Sequence, residues 1–244
     1  MIKLGLIGKK LGHSFSKRFF ENLFVEKQLK GSYELLELSG ISEFELLKTK
    51  DFAGLNVTIP YKEAVIPYLD ELDETAAEIG AVNCIKFCKT GKLKGFNTDV
   101  IGFENSLKSV LADKKIEKAL VLGSGGAAKA VCFVLTKMNI DCLIISRSPK
   151  AGQLTYKDLN AKLIEEHKLI INCSPLGMFP AIDAAPEIPY SALGKSHILF
   201  DLVYNPEETL FMKKGKEQGA AVCNGLDMLY GQAKAAWKIW KGAL

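Results

Sequence analysis

A glycine-rich turn is the part of the sequence whose spacing points most directly to chemistry. Residues 120–128 read LVLGSGGAA and fit the pattern G-x-G-x-x-A between an apolar run and a segment of helical period. Gly123 permits a tight turn, Gly125 lets backbone N–H groups approach a pyrophosphate at the helix N-terminus, and Ala128 allows the helix to pack closely on the strand. The same pattern also occurs in strand–helix turns that bind nothing.

The end of the following strand indicates which dinucleotide such a turn binds. An NAD site typically has Asp or Glu about 20 residues after the first glycine, where the carboxylate binds the ribose 2′-hydroxyl. Here no carboxylate follows the strand, and Arg147 offers a guanidinium that suits a 2′-phosphate. A lone loop arginine is usually only solvated, but beside the glycine turn it favours NADP over NAD. The predicted cofactor-binding residues in these two segments are Gly123, Ser124, Gly125, Gly126, Ala127, Ser146, Arg147 and Ser148.

Four polar clusters precede this turn, at strand ends or turns of the first 99 residues. They are GHSFS at 12–16, NVTIPYK at 56–62, GAVN at 80–83 and GFNTD at 95–99. Ligands of open α/β sheets bind at the carboxyl ends of the strands. Taken singly, each cluster also fits an ordinary role, such as a helix cap at Ser14 or Ser16, a helix cap at Asp99, a turn at Asn83 or a solvated Lys62. The residues alone therefore predict an NADP-linked oxidoreductase with a polar, hydroxylated substrate.

Alternating strands and helices must position these clusters. Short apolar runs alternate with segments of helical period, which favours an α/β fold with a mostly parallel sheet. The predicted strands are 2–7, 33–38, 54–59, 81–87, 92–96, 119–122, 142–145, 169–172, 198–202 and 221–223, with the fourth and fifth forming a hairpin. The predicted helices are 16–29, 42–48, 62–69, 73–79, 99–111, 126–138, 209–219 and 226–240.

The composition argues against several other classes of protein. The chain has 244 residues, 48% of them hydrophobic, and a net charge of +4 without a Lys/Arg stripe, which argues against nucleic-acid binding and suits a small anionic ligand. The sequence contains no run of about 18 apolar residues, so no membrane span is predicted. The six cysteines form no CxxC pair, so we expect free thiols in a reducing cytoplasm. Because Cys84, Cys132, Cys142 and Cys173 lie inside apolar runs, we expect these thiols to be buried. His13, His167 and His197 lack metal-ligand spacing, so no metal site is predicted.

The order of motifs along nearly the whole chain resembles the shikimate dehydrogenase family. The matching segments are HSFS, NVTIPYK, GAVN, NTD, GSGGA, SRS, INCSPLGM, DLVYNP and NGLDMLYGQA. The resemblance implies reversible reduction of 3-dehydroshikimate to shikimate with NADPH, in the pathway to chorismate and the aromatic amino acids. It also implies two α/β domains, an N-terminal mostly parallel substrate domain and a Rossmann-like dinucleotide-binding domain, joined by helices with a cleft between them.

The resemblance further assigns roles to individual residues. Lys62 and Asp99 match the family's catalytic pair, and the hydroxyls of Ser14 and Ser16 would hold the substrate carboxylate. The remaining matches are Thr58, Asn83 and Gln232 for the ring hydroxyls, Tyr204 for the substrate site, and Leu202 and Gly225 near the nicotinamide.

Elementary chemistry constrains the roles within the predicted catalytic pair. A lysine, with an ordinary pKa of about 10.4, is a poor base at neutral pH, and a neighbouring carboxylate favours its charged form. We therefore expect Lys62 to donate to the developing alkoxide, and Asp99 to orient Lys62 and bind the adjacent hydroxyl. Which of the two is the formal acid–base stays open at this point.

The sequence departs from the family pattern mainly after Arg147. Leu169 lies only 22 positions after Arg147, and Pro149 and Gly152 argue against a helix directly after Arg147. We predict a short strand at 153–156, one helix at 159–167, the loss of one outer helix and a more open adenine side. Smaller departures are three lysines near the predicted carboxylate site, Lys9, Lys10 and Lys17, which either steer an anionic substrate or are simply solvated. Val100 and Asp227 also depart from the family pattern.

These observations predict a discontinuous domain organisation. Residues 1–98 with 224–244 form the predicted substrate domain, and residues 99–223 form the predicted NADP domain. We expect a small-molecule substrate, no nucleic-acid or membrane partner, and a monomer or homodimer. Two alternatives stay open: a quinate/shikimate dehydrogenase that uses NAD or both cofactors, and a non-catalytic dinucleotide-binding sensor, which would be expected to lack the Lys62 and Asp99 pair.

Overall fold

The computed structural model describes residues 1–12, 14–112 and 114–242. His13 of the first polar cluster and the last two residues of the predicted substrate domain lie outside this range. The chain forms two compact units, Met1–Asp99 with Gly231–Leu244 and Val100–Tyr230. Asp99 thus belongs to the first unit, so this boundary lies one residue from the predicted one. Residues 224–230 belong to the second unit, so the other boundary lies seven residues from the predicted one. The larger difference arises because the second boundary lies inside a continuous C-terminal helix.

The first unit is built on a mixed six-stranded sheet. Its elements are β1 (Ile2–Gly8), α1 (Phe15–Glu26), β2 (Gly31–Glu37), a 3₁₀ turn (Ile41–Phe44), α2 (Glu45–Lys48), β3 (Gly54–Val57), α3 (Tyr61–Ala64), a 3₁₀ turn (Ile66–Tyr68), β4 (Glu71–Leu72), α4 (Glu74–Ile79), β5 (Cys84–Phe87) and β6 (Leu93–Phe96). The strand order is β2-β1-β3-β5-β6-β4. The predicted hairpin is confirmed, because β5 and β6 pair antiparallel with Ile85 opposite Gly95.

This topology brings the predicted polar clusters to one edge of the first sheet. β1 and β3 are parallel, with Ile7 opposite Val57, and β6 runs the same way because β5 is antiparallel to both β3 and β6. The segments after β1, β3 and β6 therefore emerge at the same edge. The start of β5, which follows Asn83, lies there as well.

The second unit contains an all-parallel five-stranded sheet. Its elements are α5 (Asp99–Leu111, whose first residue belongs to the first unit), β7 (Lys118–Leu122), α6 (Gly126–Lys137), β8 (Asp141–Ile145), a 3₁₀ turn (Tyr156–Asp158), α7 (Ala161–Glu166), β9 (Leu169–Asn172), a 3₁₀ turn (Tyr190–Ala192), β10 (Ile198–Asp201), α8 (Leu210–Glu217), β11 (Ala221–Cys223) and α9 (Leu226–Lys241, which continues into the first unit). The strand order β11-β10-β9-β7-β8 reverses between β7 and β9. Such a reversal opens a crevice at the carboxyl ends of the two strands.

The segment after Arg147 is short, as predicted, but its strand is not formed as predicted. Residues 146–168, all of them described, contain only the 3₁₀ turn and α7. The strand expected at 153–156 is reduced to one bridge between Ile145 and Leu154. α7 begins at Ala161, two residues later than predicted, because the Asn160 side chain caps it by accepting from the Leu163 N–H at 3.1 Å.

The last helix closes the core of the first unit. Trp240 is fully buried, its ring lies 5.3 Å from that of Phe20, and its indole N–H donates to the Ile85 carbonyl at 2.9 Å. A Cβ on Gly54 would lie 2.0 Å from the Trp240 Nε1 atom, so glycine is required where the indole crosses β3. α9 is therefore anchored to β3 and β5 of the first sheet.

We expect Trp240→Phe to lower the stability of the first unit by about 1–3 kcal/mol. The substitution keeps most of the aromatic packing but leaves the buried Ile85 carbonyl without its indole donor. Urea unfolding measures the change. The matched control is Trp237→Phe, which changes a neighbouring buried indole packed edge-on against Phe24. Equal losses in the two variants would contradict a specific role for the Trp240 hydrogen bond.

Candidate active site

A buried ion pair lies at the edge of the first sheet. The Nζ atom of Lys62 donates to the Oδ2 atom of Asp99 at 2.7 Å, and the two side chains are only 14% and 9% exposed. Lys62 lies in the first turn of α3, where the Val82 N–H donates to its carbonyl at 2.7 Å and the hydroxyl of Tyr61 donates to the Leu38 carbonyl at 2.6 Å. Removal from water strengthens the attraction within the pair, so the ammonium group has a fixed position.

The side-chain amide of Asn83 holds the second oxygen of Asp99. Its Nδ2 atom donates to the Asp99 Oδ1 atom at 2.8 Å, while Lys62 occupies Oδ2. The Oδ1 atom of Asn83 accepts from the Thr98 N–H at 2.7 Å, and both amide atoms lie within 3.1 Å of the Thr98 hydroxyl. All three of Asn83, Thr98 and Asp99 are buried. The carboxylate is thus held on both oxygens.

A chain of hydrogen bonds links this pair to the segment after β1. The hydroxyl of Ser16 bonds to Tyr33, whose own hydroxyl donates to the Asn56 Oδ1 atom at 2.7 Å. The Nδ2 atom of Asn56 donates in turn to the Asn83 carbonyl at 3.3 Å. Burial raises the pKa of Tyr33 well above its ordinary value, so the phenol stays neutral.

The other predicted substrate residues of the first unit lie at a helix cap, after a strand and within a helix. Ser14 is the N-cap of α1, and its Oγ atom accepts from the Lys17 N–H at 3.4 Å, so the capping alternative holds for this residue. Thr58 follows β3, and its N–H donates to the Ile7 carbonyl at 2.9 Å. Gln232 is buried within α9. Lys9 and Lys10 are exposed.

The glycine turn of the second unit fits a pyrophosphate. Gly123 has φ +118°, and a Cβ there would lie 3.3 Å from the backbone of Cys173, so the turn after β7 passes close to the segment after β9. Gly125 is the N-cap of α6 without a side-chain cap, and a Cβ there would meet no atom within 4 Å. The 12-residue helix α6 has no acidic residue in its first turn. An open, uncapped helix N-terminus at the switch point is a suitable anion site.

The residues after β8 lie beside this turn. The hydroxyls of Ser124 and Ser146 are 3.0 Å apart, and the Ser146 Oγ atom also accepts from the Ser148 N–H at 3.2 Å. Arg147 is exposed. Burial raises the pKa of Tyr156, and the positive charge of Arg147 opposes that shift. These contacts bring the two predicted cofactor-binding segments together.

The segments after β10 and after β11 carry three further predicted residues. The Leu202 N–H donates to the Asn172 carbonyl at 3.0 Å, and the Gly225 N–H donates to the Val203 carbonyl at 3.3 Å. A Cβ on Gly225 would lie 2.2 Å from the Leu202 carbonyl oxygen, so this approach requires glycine. Tyr204, in the segment after β10, is half-buried.

A buried carboxylate, Asp201, organises the start of this segment. It accepts hydrogen bonds from the Thr209 hydroxyl at 2.6 Å, the Asn172 side chain at 2.9 Å and the Val203 N–H at 3.0 Å. Burial raises the pKa of Asp201 to about 6, although these hydrogen bonds oppose the shift. The folded protein therefore binds this proton more tightly than the unfolded chain does.

We expect Asp201 to make the second unit less stable as the pH rises from about 4 to 7. Because the folded pKa lies above the ordinary value, its stabilising contribution is fully present below about pH 3.8 and is lost as the pH passes 6. Over this pH range, the free energy of unfolding of the wild type is expected to fall by up to about 3 kcal/mol relative to that of Asp201→Asn. Thermal unfolding at a series of pH values measures the difference. Asp141→Asn, at an exposed position of the same unit, is the control, and a pH-independent difference for Asp201→Asn would contradict the assignment.

The described residues contain neither a metal-binding cluster nor a membrane-spanning helix. No group of three or more His, Cys, Asp or Glu side chains there is arranged to hold a metal ion. In the same part of the chain, no helix is long and apolar enough to cross a membrane. All six cysteines are free thiols, but only Cys84 is fully buried. The expectation of burial was therefore wrong for Cys132, Cys142 and Cys173, which are partly exposed.

Comparison with known proteins identifies the family. Residues 6–85 match the model of the shikimate dehydrogenase substrate-binding domain. The shikimate dehydrogenase (NADP(+)) of Clostridium beijerinckii is 40% identical over 251 residues, which cover 97% of this chain and 91% of that protein. The chain belongs to the shikimate dehydrogenase family.

Solved structures of the family agree with the fold. A shikimate dehydrogenase in complex with NADP+ has a TM-score of 0.89 and 34% identity, over 99% of this chain and 90% of that chain. The Thermus thermophilus enzyme in complex with NADP(H) and shikimate has a TM-score of 0.87 and 30% identity, over 100% of this chain and 95% of that chain. The predicted α/β class with a Rossmann-like NADP-binding region is confirmed.

Three residues of the hydrogen-bond network were not predicted as site residues. Thr98 lies inside the NTD motif and Asn56 inside NVTIPYK, so both stood in quoted motifs but received no role. Tyr33 was read only as the start of a strand. The usable signal was available for Asn56, a polar residue in the otherwise apolar strand β3, since a buried polar group requires a hydrogen-bond partner.

Proposed function

We propose that this protein catalyses the reversible, NADP-dependent reduction of 3-dehydroshikimate to shikimate, in the pathway to chorismate and the aromatic amino acids. The observation that carries the proposal is the buried 2.7 Å pair of Lys62 and Asp99 at the edge of the first sheet where the segments after β1 and β3 also emerge. A non-catalytic sensor would not need a desolvated, hydrogen-bonded charge pair there. Family membership and the open glycine turn support NADP as the cofactor.

Lys62 supplies the proton in the direction of reduction. NADPH, when bound, supplies a hydride to the carbonyl carbon of the substrate. As negative charge develops on the carbonyl oxygen, the Lys62 ammonium donates a proton to it, and ketone, hydride and proton together give the alcohol. Asp99 keeps the ammonium group oriented before transfer. In the direction of oxidation, Lys62 returns to the ammonium form by accepting the hydroxyl proton.

The remaining residues of the first unit are proposed to bind the substrate. Ser14 and Ser16 hold the carboxylate, and Thr58 and Gln232 contact ring hydroxyls. Asn83 is proposed to reach a ring hydroxyl as well, although both atoms of its amide already have partners in Thr98 and Asp99. In the second unit, Tyr204 is proposed to line the substrate site.

The cofactor is proposed to bind to the second unit. The backbone N–H groups of residues 123–127 bind the pyrophosphate, Ser146, Arg147 and Ser148 bind the 2′-phosphate, and Leu202 and Gly225 lie near the nicotinamide. A cytoplasmic location and a monomer or homodimer complete the proposal. The free cysteines support a reducing compartment.

Product analysis tests the reaction. Purified protein is incubated with 3-dehydroshikimate and NADPH, the fall in absorbance at 340 nm is followed, and shikimate is quantified by mass spectrometry. We expect one shikimate for each NADPH consumed. NADPH consumption without shikimate, or no consumption by folded protein, would contradict the proposal.

A further inference from the structure

We propose that Thr98 is a positioning residue for the catalytic pair, holding the Asn83 amide in the orientation that directs an N–H group at Asp99. The inference rests on the proposed function, because it concerns the same Lys62 and Asp99 pair. The side chain of Thr98 forms hydrogen bonds to Asn83. It acts through Asn83.

The donors and acceptors around Asn83 permit only one orientation of its amide. The Thr98 N–H, which can only donate, faces the Oδ1 atom at 2.7 Å, and the Asp99 carboxylate, which can only accept, faces the Nδ2 atom at 2.8 Å. A flipped amide would place two donors together at Thr98 and two acceptors together at Asp99. Backbone and carboxylate therefore fix which amide atom faces Asp99.

The Thr98 hydroxyl completes this arrangement. It lies 3.0 Å from the Asn83 Nδ2 atom and 3.1 Å from the Oδ1 atom. The hydroxyl therefore accepts a hydrogen bond from the second N–H of the Asn83 amide, while the first N–H donates to Asp99. Thr98 is only 1% exposed and Asn83 only 3%, so water has little access to replace the hydroxyl. A buried N–H group left without an acceptor is costly, and the amide would turn or withdraw to find one.

Loss of the Asn83 donor would act on Asp99 next. The carboxylate is held by Asn83 on Oδ1 and by Lys62 on Oδ2, and without the first contact it can rotate. Lys62 would then lose its fixed direction relative to the substrate oxygen. A small misplacement of an acid–base group lowers kcat more than it weakens binding.

The test compares Thr98→Val, which removes the hydroxyl but keeps the shape, with Thr98→Ser, which keeps the hydroxyl. We expect Thr98→Val to lower kcat for shikimate oxidation tenfold or more with KM within threefold of the wild type, and Thr98→Ser to stay within threefold in both.

Trp240→Phe controls for a loss of stability in the same unit and should leave kcat unchanged. In an Asn83→Ala background, Thr98→Val should add no further loss. A kcat within threefold for Thr98→Val, equal losses in Thr98→Val and Thr98→Ser, or additive losses with Asn83→Ala would overturn the inference.

A second readout is independent of activity. In ¹⁵N-edited NMR spectra, the Asn83 side-chain NH₂ signals should be protected from solvent exchange in the wild type and in Thr98→Ser, but not in Thr98→Val. Should Thr98→Val fail to fold, Thr98→Ala takes its place in both measurements. Equal protection in all folded variants would overturn the inference. Inactivity of the folded wild type with shikimate would instead contradict the proposed function, while the NMR comparison would still decide the role of Thr98.

Discussion

Replacing Lys62 with alanine is expected to lower kcat for shikimate oxidation by about 10²–10⁴-fold and to leave KM within about threefold. A positioned general acid–base contributes rate factors of this size. KM should change little because the ammonium acts mainly on charge that develops on the substrate oxygen in the transition state. Steady-state kinetics at 340 nm with NADP and shikimate measure both constants.

The matched control for Lys62 is Lys92. It forms an ion pair of nearly the same length, 2.8 Å, with Glu71 in the same unit, but its side chain is 59% exposed. Lys92→Ala removes a lysine and an ion pair without entering the candidate site, so we expect kcat to stay within twofold of the wild type. If Lys62→Ala stayed within about threefold of the wild type, the catalytic role of Lys62 would have to be abandoned.

Replacing Arg147 with glutamine is expected to lower kcat/KM for NADP by about 10–100-fold while kcat/KM for NAD stays within about twofold. The two cofactors differ only in the 2′-phosphate, and charge-assisted hydrogen bonds of a guanidinium to phosphate are worth about 1.5–3 kcal/mol. Arg147 is exposed at the end of β8, beside the serine hydroxyls that flank the glycine turn. The loss should therefore appear mainly in KM for NADP.

Lys157 offers a control for charge in the same shortened segment. It lies in the 3₁₀ turn and is exposed, so Lys157→Gln removes one positive charge near the cofactor region without touching the proposed 2′-phosphate site. Equilibrium binding of NADP, measured by calorimetry, should weaken for Arg147→Gln and not for Lys157→Gln. An equal loss of NAD and NADP activity in Arg147→Gln would show a general effect on the fold and contradict recognition of the 2′-phosphate.

Element types were largely predictable because hydrophobic periodicity is a local property. Helix α5 and strands β9 and β11 begin and end at the predicted residues. Strand β4 was missed because two residues, Glu71 and Leu72, carry no period. The strand expected at 153–156 was wrong because pairing depends on the neighbouring edge strand, and only Leu154 meets it.

The residues of the candidate site were named from motif order, but their arrangement was not predictable. The sequence places Asn83 and Asp99 in separate motifs, and only the antiparallel pairing of β5 with β6 brings them within 2.8 Å. The link from Ser16 through Tyr33 and Asn56 joins α1, β2 and β3, which are separate segments of the chain. Such networks depend on three-dimensional contacts that one sequence does not encode locally.

The most direct test of the central claim is a comparison of kcat/KM for four pairs of substrates at 340 nm: shikimate or quinate, each with NADP or NAD. We expect shikimate with NADP to give the highest kcat/KM, and NADPH to form only in the presence of the hydroxylated acid. A higher kcat/KM for quinate or for NAD would favour the quinate/shikimate dehydrogenase alternative. Folded protein that binds NADP but forms no NADPH with either acid would contradict catalysis altogether.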